Sequence, residues 1–346
     1  MTAASNRGLR WGDPLWRRAL GWLSPAGAPA RLSIMIFHRV LPEPDPLFPG
    51  DPDRERFDTL CGWLAAWYNV LPLDEAVQRL RQRSLPERAL AITFDDGYAD
   101  NHDIAMPVLR AHGLCATFFI ATGFLDGGRM WNDTVIEALR HCTAAELDLE
   151  GLGPALPPRL DLSTIEARRA SMERLLPACK YLRPDERLRV VERIAERARV
   201  VPRSDLMLSS AQVKAMAAAG MQIGAHTVNH PILARLDEHE ARFELAHSKG
   251  VLEDLLGAPV PLFAYPNGVP DRDYGARDVA LARAAGFAAA VSTAPGAACA
   301  DDPLQYELPR FTPWDRGRAK FALRLARNLR RPAPPPAQPA SRQSGA

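Results

Sequence analysis

The chain has 346 residues, 47% of them hydrophobic, enough for one barrel-sized domain with insertions or for two smaller domains. Its 43 basic and 41 acidic residues give a net charge of +2 with no dominant block, which leaves no case for a nucleic-acid partner. Five cysteines, an odd number with no C-x-x-C spacing, indicate neither a disulfide framework nor a thiolate zinc site, and no run of about 18 apolar residues is present to cross a membrane.

Arg7, Arg10, Arg17 and Arg18 interrupt every apolar stretch before Ala28, unlike a signal peptide, so a cytoplasmic or membrane-peripheral location is expected. Trp11, Leu15, Trp16, Leu20, Trp22 and Leu23 alternate with those arginines. Residues 7–24 therefore read either as an amphipathic segment lying on an anionic membrane surface or as a helix docked on the domain, and residues 1–29 are set apart as an N-terminal segment. Leu32 to Phe37 reads as a buried strand that ends at His38, followed by a proline-stiffened loop. Phe57, Leu60, Cys61, Leu64, Trp67 and Tyr68 recur at helical spacing. The strand Ala91-Ile92-Thr93-Phe94 then stops at Asp95-Asp96-Gly97.

A helix is expected from Asp100 to His112 with Gly113 as its C-terminal cap, and Cys115 to Ile120 reads as the next strand. From about 134 to 205 the pattern changes to Arg-, Glu- and Leu-rich helical sequence broken by prolines, a helical insertion. The strand rhythm resumes at Met221-Gln222-Ile223, which runs into His226-Thr227-Val228-Asn229-His230. Further strands are expected at 261–265, 287–291 and 306–308, alternating with helices. The main domain is taken as 30–325, and the Pro/Ala/Ser/Gln-rich stretch 326–346 as a disordered tail.

Strand, helix, strand in sequence implies parallel pairing through crossovers. His38, Asp95, Asp96, His226, Asn267 and Arg310 all fall at or just after predicted strand ends. In a parallel barrel those ends converge on one face; an open doubly wound sheet would also gather them along one edge. Two adjacent carboxylates at a buried strand end need a cation, and two imidazoles at i and i+4, on one side of a single turn, suit a divalent metal such as zinc.

Thr93-Phe94-Asp95-Asp96-Gly97 and His226-Thr227-Val228-Asn229-His230 together resemble the first two motifs of the polysaccharide deacetylases, carbohydrate esterase family 4. The resemblance implies a distorted (β/α) barrel of about seven parallel strands. It assigns Asp96, His226 and His230 to a divalent metal, zinc or another ion, and Asp95 to the role of general base on the attacking water. This chain has no histidine after His247, where many members supply the general acid. Phe37-His38-Arg39-Val40 instead resembles the aromatic-His-x-Val motif of an exopolysaccharide-modifying branch, which makes His38 the proton donor.

Phe263-Ala264-Tyr265-Pro266-Asn267-Gly268 resembles the third motif, so Tyr265, Pro266 and Asn267 are expected to line the groove, with the Asn267 N–H as the oxyanion donor. Ala264 stands where an arginine often orients the base, and Arg310 is the expected replacement. Trp131 and Trp314 are candidate sugar-stacking rings. The implied activity is metal-dependent N-deacetylation of a polysaccharide or lipid-linked glycan. O-acetyl ester hydrolysis, or an inactive carbohydrate-binding or assembly barrel, are the alternatives. A two-histidine-one-carboxylate iron oxygenase fits less well, since its ligands usually begin with a close His-x-Asp/Glu pair.

Overall fold

The computed structural model describes residues 13–338 apart from 155, 303, 313, 314 and 333. Its strands, in chain order, are β1 (Ser33–Phe37), β2 (Asn69–Val70), β3 (Ala89–Phe94), β4 (Thr117–Ile120), the short pair β5 (Glu146–Asp148) and β6 (Arg159–Asp161), β7 (Gln222–Ala225), β8 (Leu262–Ala264) and β9 (Ala289–Val291). All but β5 and β6 form one parallel, curled sheet in the order β1-β3-β4-β7-β8-β9, with β2 paired to the start of β3. This is the (β/α) barrel architecture expected from the strand–helix alternation.

The two edges of the sheet are drawn together by Leu308–Phe311. Leu308 exchanges backbone hydrogen bonds with the β9 side (its N–H to the Ala290 carbonyl, 2.9 Å) and Phe311 with β1 (its N–H to the Ile34 carbonyl, 2.9 Å; Ile36 N–H to its own carbonyl, 3.1 Å). The expected strand at 306–308 is therefore displaced to this segment. Arg310 sits in the middle of the closure.

Because successive strand residues face opposite ways, the sheet feeds two cores. Ile34, Ala91, Phe119, Leu262, Ala264 and Val291 pack with Leu73, Ala76 and Val77 of α3 (Leu73–Arg81). Their neighbours Met35, Ile92, Phe118, Ile223 and Phe263 pack under the outer helices, which include α2 (Arg54–Trp67), α8 (Ser210–Ala218), α9 (Glu238–Leu256) and α10 (Ala276–Ala284). Strands covered on both faces need continuous apolar runs, which is how they read in the sequence.

The insertion forms a separate core. α5 (Trp131–His141), α6 (Ile165–Lys180) and α7 (Pro184–Ala198) enclose Val135, Leu139, Leu160, Leu175, Val191 and Ile194. It is not purely helical as expected, since β5 and β6 form an antiparallel pair inside it.

The N-terminal segment follows its docked reading, whereas the C-terminal stretch departs from expectation. α1 (Asp13–Leu23) is docked: Leu20 is fully buried, Trp16 lies 6.4 Å from Trp67, and the Trp67 indole N–H donates to Asp13. Residues 7–12 of the proposed amphipathic segment lie outside the described residues. At the other end α11 (Arg318–Arg330) makes residues 326–330 helical rather than disordered, because Phe321, Leu325 and Leu329 present an apolar stripe that is buried. Beyond it the Ala337 and Gln338 N–H groups still donate to Glu307 and Asp271.

Candidate metal centre and its cavity

β3 delivers the two acids. The Asp95 N–H continues the ladder to the Phe37 carbonyl (2.9 Å), and the chain then turns through left-handed conformations at Asp96 (φ +76°) and Gly97 (φ +85°). That turn separates the two side chains. A left-handed residue other than glycine costs on the order of 1 kcal/mol, a strain that clusters at functional sites.

β7 delivers the imidazoles. His226 stays in register, its N–H donating to the Ile120 carbonyl (3.0 Å), and its Nδ1–H donates to the Ala264 carbonyl (2.7 Å). The tautomer is thereby fixed, with the Nε2 lone pair left for a ligand. The expected helical turn from His226 to His230 is absent. Thr227 (φ +66°) and His230 (φ +50°) are left-handed, and the loop is held from outside by Glu244 of α9. That carboxylate accepts the Val228 and Asn229 N–H groups (2.7 and 2.9 Å) and the Asn229 amide (2.8 Å). Gly123 donates to the Val228 carbonyl (2.8 Å), and a Cβ there would lie 2.8 Å from the same oxygen, so only glycine fits beneath the loop.

His226 Nε2 and His230 Nε2 each lie 3.4 Å from Asp96 Oδ1, and one ligand atom from each of the three residues falls within 4.8 Å of the others. Asp96 Oδ1 is buried and has no hydrogen-bond partner, the imidazoles being too distant for a good one. A buried carboxylate oxygen facing two imidazole nitrogens without bonding them is the donor set a borderline divalent cation fills. Burial opposes charge on Asp96, but His226, His230 and His38 hold its carboxyl well below the usual range. Burial pushes His230 down to about 4, leaving its ring neutral at pH 7 as a ligand must be.

Asp95 is engaged differently. Arg310 grips it in a two-pronged pair, Nη1–Oδ1 and Nη2–Oδ2 both 2.7 Å, while donating its Nε–H to the Ser292 carbonyl (2.8 Å) and Nη1–H to Thr93 Oγ1 (3.1 Å). Both partners are buried. Burial would raise the Asp95 carboxyl, but Arg310 and His226 hold it below the ordinary range, so it is ionised.

One cavity of about 500 Å³ gathers His38, Asp95, Asp96, His226, His230, Asn267 and Trp131. His38 is exposed on its wall, its carbonyl accepting from the Asn101 amide (2.9 Å) and the following residues anchored by Arg39 and Val40 to Asp100. Asn267 (φ +60°) is fixed by the Thr293 hydroxyl, which donates to its carbonyl (2.8 Å).

Two expected groove residues are not brought there. Tyr265 is fully buried with its ring stacked on Tyr274 at 3.9 Å, and Pro266 is buried beside it, because the pleat turns Tyr265 toward the outer core. Trp314 lies outside the described residues. Thr93, Ser292 and Glu244, which hold the site together, were not expected; Thr93 stands inside the first motif, whereas nothing local marks Ser292 or Glu244. Leu176, Pro177, Lys180, Tyr181 and Arg187 of the insertion, with Arg272, also reach the cavity.

Comparison with known proteins bears on the family and the fold. The sequence profile of the polysaccharide deacetylase family matches residues 82–147 and 187–290. YxkH of Bacillus subtilis (strain 168), named for the same family, is 24% identical over 284 residues, which are 82% of this chain and 71% of that one. Among solved structures, the deacetylase PplD of Streptococcus pyogenes in complex with acetate superposes with a TM-score of 0.55 at 20% identity, over 82% of this chain and 92% of that one. IcaB from Ammonifex degensii gives a TM-score of 0.54 at 20% identity over 89% and 99%. At these identities the structural likeness speaks for the fold.

Proposed function

The chain belongs to the polysaccharide deacetylase family, and from that premise we propose that it is a metal-dependent hydrolase removing N-acetyl groups from a polysaccharide or lipid-linked glycan. The observation that carries this reading is the division of labour between neighbouring acids: Asp96 keeps an unbonded buried oxygen facing two imidazoles, while Asp95 is ionised and clamped by Arg310.

Asp96, His226 and His230 would hold a divalent ion, zinc being the best match to one carboxylate and two imidazoles. When bound, such an ion supplies a Lewis acid and an activated water. Asp95 takes the proton of the attacking water, and Arg310 fixes the direction of its carboxylate. The Asn267 N–H offers a donor to the oxygen that gains charge as the acetyl carbon becomes tetrahedral. His38 gives the departing amine its proton, as the Phe37-His38-Arg39-Val40 resemblance to the exopolysaccharide-modifying branch implies. Tyr265 and Pro266 act here only through the backbone that carries Asn267.

Peripheral membrane contact remains part of this reading for the N-terminal helix, which exposes Leu15 (73%) and Trp22 (77%) beside Arg17 and Arg18. No helix among the described residues is long and apolar enough to cross a membrane.

Acetate release from N-acetylglucosamine oligomers by metal-stripped and zinc-reloaded protein tests the proposal. Activity should vanish on stripping and return on reloading. Release from O-acetylated sugars alone would convert the reading to an esterase, and release from neither would leave a binding barrel.

A further inference from the structure

The insertion side of the cavity takes no part in this chemistry, yet it is strongly basic. Lys180 ends α6, Arg187 lies one turn into α7, and Arg272 joins them from the loop after β8. Lys180 belongs to the stretch 148–186 that the family profile skips.

Arg187 is the telling residue. It is only 7% exposed, and among the described residues no carboxylate pairs with it. Its contacts are one hydrogen bond to the Lys180 carbonyl (3.2 Å) and the Trp131 ring, 4.9 Å from its guanidinium carbon. One bond uses one of five donors. The field of α7 does not explain the charge either, since a cation in the first turn opposes the helix dipole. A guanidinium largely withdrawn from solvent with no counter-anion is unfavourable, so the fold alone gives no reason for a charge at this cavity wall.

Among the described residues Lys180 has no ion pair to relieve this. The acid whose field reaches it, Asp273, already accepts the Val269 N–H (3.1 Å) and faces Arg272 (3.4 Å). Burial, with Arg272 nearby, lowers the Lys180 ammonium below its ordinary range. Two cations, Arg187 and Lys180, that form no ion pair among the described residues and line a substrate cavity mark the place where an anion is expected.

We infer that the substrate is an acidic glycan: the acetylated sugar, or the unit next to it, carries an oxyanion that Arg187 and Lys180 bind while the acetyl group faces Asp95 and Asp96. This rests on the deacetylase reading. Uronate carboxylates and sugar phosphates share the required chemistry. With one face of Trp131 covered by Arg187, that ring supports the guanidinium and has a single face left for a sugar.

The test compares kcat/KM for acetate release from three probes: a neutral N-acetylglucosamine trisaccharide, the same trisaccharide with a 1-phosphate, and a tetrasaccharide alternating N-acetylglucosamine with glucuronate. At least one anionic probe should exceed the neutral one about 10-fold or more, the worth of one charge-assisted hydrogen bond, and the advantage should shrink with salt. The better anionic probe identifies the oxyanion. Arg187→Gln should erase the preference and Arg187→Lys should keep most of it; if Arg187→Gln does not fold, Lys180→Gln, at a partly exposed position, carries the comparison. Equal kcat/KM for all probes, or a preference untouched by these variants, overturns the inference. Should no probe release acetate, probe binding followed by calorimetry separates the two ideas: tighter anionic binding lost in Arg187→Gln supports this inference while the deacetylase reading falls, and equal binding overturns this inference too.

Discussion

The two walls of the cavity are held in very different ways. On the barrel side Arg310 makes four hydrogen bonds, His226 is locked by the Ala264 carbonyl, and Glu244 takes three donors from the loop between the histidines. On the insertion side Arg187 has one hydrogen bond and Tyr181 is 46% exposed. Reacting groups must be fixed to within fractions of an ångström, because misplacement is felt directly in the barrier. Groups that only recognise a substituent tolerate adjustment. The insertion also has its own core, so its sequence can change without moving the strands that hold the acids and imidazoles.

The largest effects that sharpen this contrast belong to the barrel wall. Asp96→Ala, His226→Ala and His230→Ala should each lose both the divalent ion and the activity, since two ligands hold an ion far less well than three. Asp95→Asn should keep the ion while turnover drops by about 10²- to 10⁴-fold, the usual worth of a general base. Metal analysis after desalting decides it. Equal metal loss in all four proteins would mean that the acids have been given the wrong roles.

Next in size is His38, exposed on the same wall. An amine leaving group must be protonated, whereas an activated aryl acetate departs without help. His38→Ala should slow release from an N-acetylated sugar by about 10²- to 10⁴-fold and affect the aryl ester much less. Equal slowing of both substrates would make His38 a structural residue.

A smaller, local effect is expected in the insertion. Leu175 is fully buried in its core, so Leu175→Ala should cost about 2–5 kcal/mol through the cavity it leaves. Its consequences should appear as a raised KM for oligosaccharide with ion affinity unchanged. An equal fall in ion affinity, measured by competition with a chelator, would show that the two walls are one unit.

The same division governs how much could be read from sequence. Each barrel strand is a short apolar run that ends in a polar residue, so His38, Asp95, Asp96, His226 and Asn267 were legible as one face. Arg310 was legible as a charge near Asp95 but not as part of the closure, because Leu308-Pro309-Arg310-Phe311 has neither strand periodicity nor a donor at Pro309. The i, i+4 spacing of the histidines suggested a helical turn. The left-handed Thr227 and His230 that replace it are imposed by Glu244, a tertiary contact with no local signal. Tyr265 fell on the wrong side of the pleat, a one-residue error of the kind strand alternation allows. In the insertion, β5 and β6 are three residues each, too short for periodicity to register, and the arginines of α11 concealed its buried apolar stripe.

The smallest expected effect lies on the seam between the two regions. Asp133 of α5 is 2% exposed and accepts the hydroxyl of Tyr98 from the turn after β3 at 3.1 Å, while its second oxygen has no partner. Burial pushes its carboxyl up to about 7, with Arg39 offsetting only part of the rise. An unfolded aspartate titrates near 3.9, so between about pH 4 and 7 the folded chain holds a proton that the unfolded chain releases. This contribution to stability is therefore full below about pH 4, falls as pH rises to about 7, and is constant above. Asp133→Asn keeps an acceptor for Tyr98 and removes the titration. Its melting temperature should exceed that of the wild type at pH 8, by the equivalent of on the order of 1–3 kcal/mol, and the gap should narrow steadily as pH falls through 7 to 5. If the two proteins keep the same difference across that range, Asp133 is ionised in the folded state and the seam is wetter than its burial indicates.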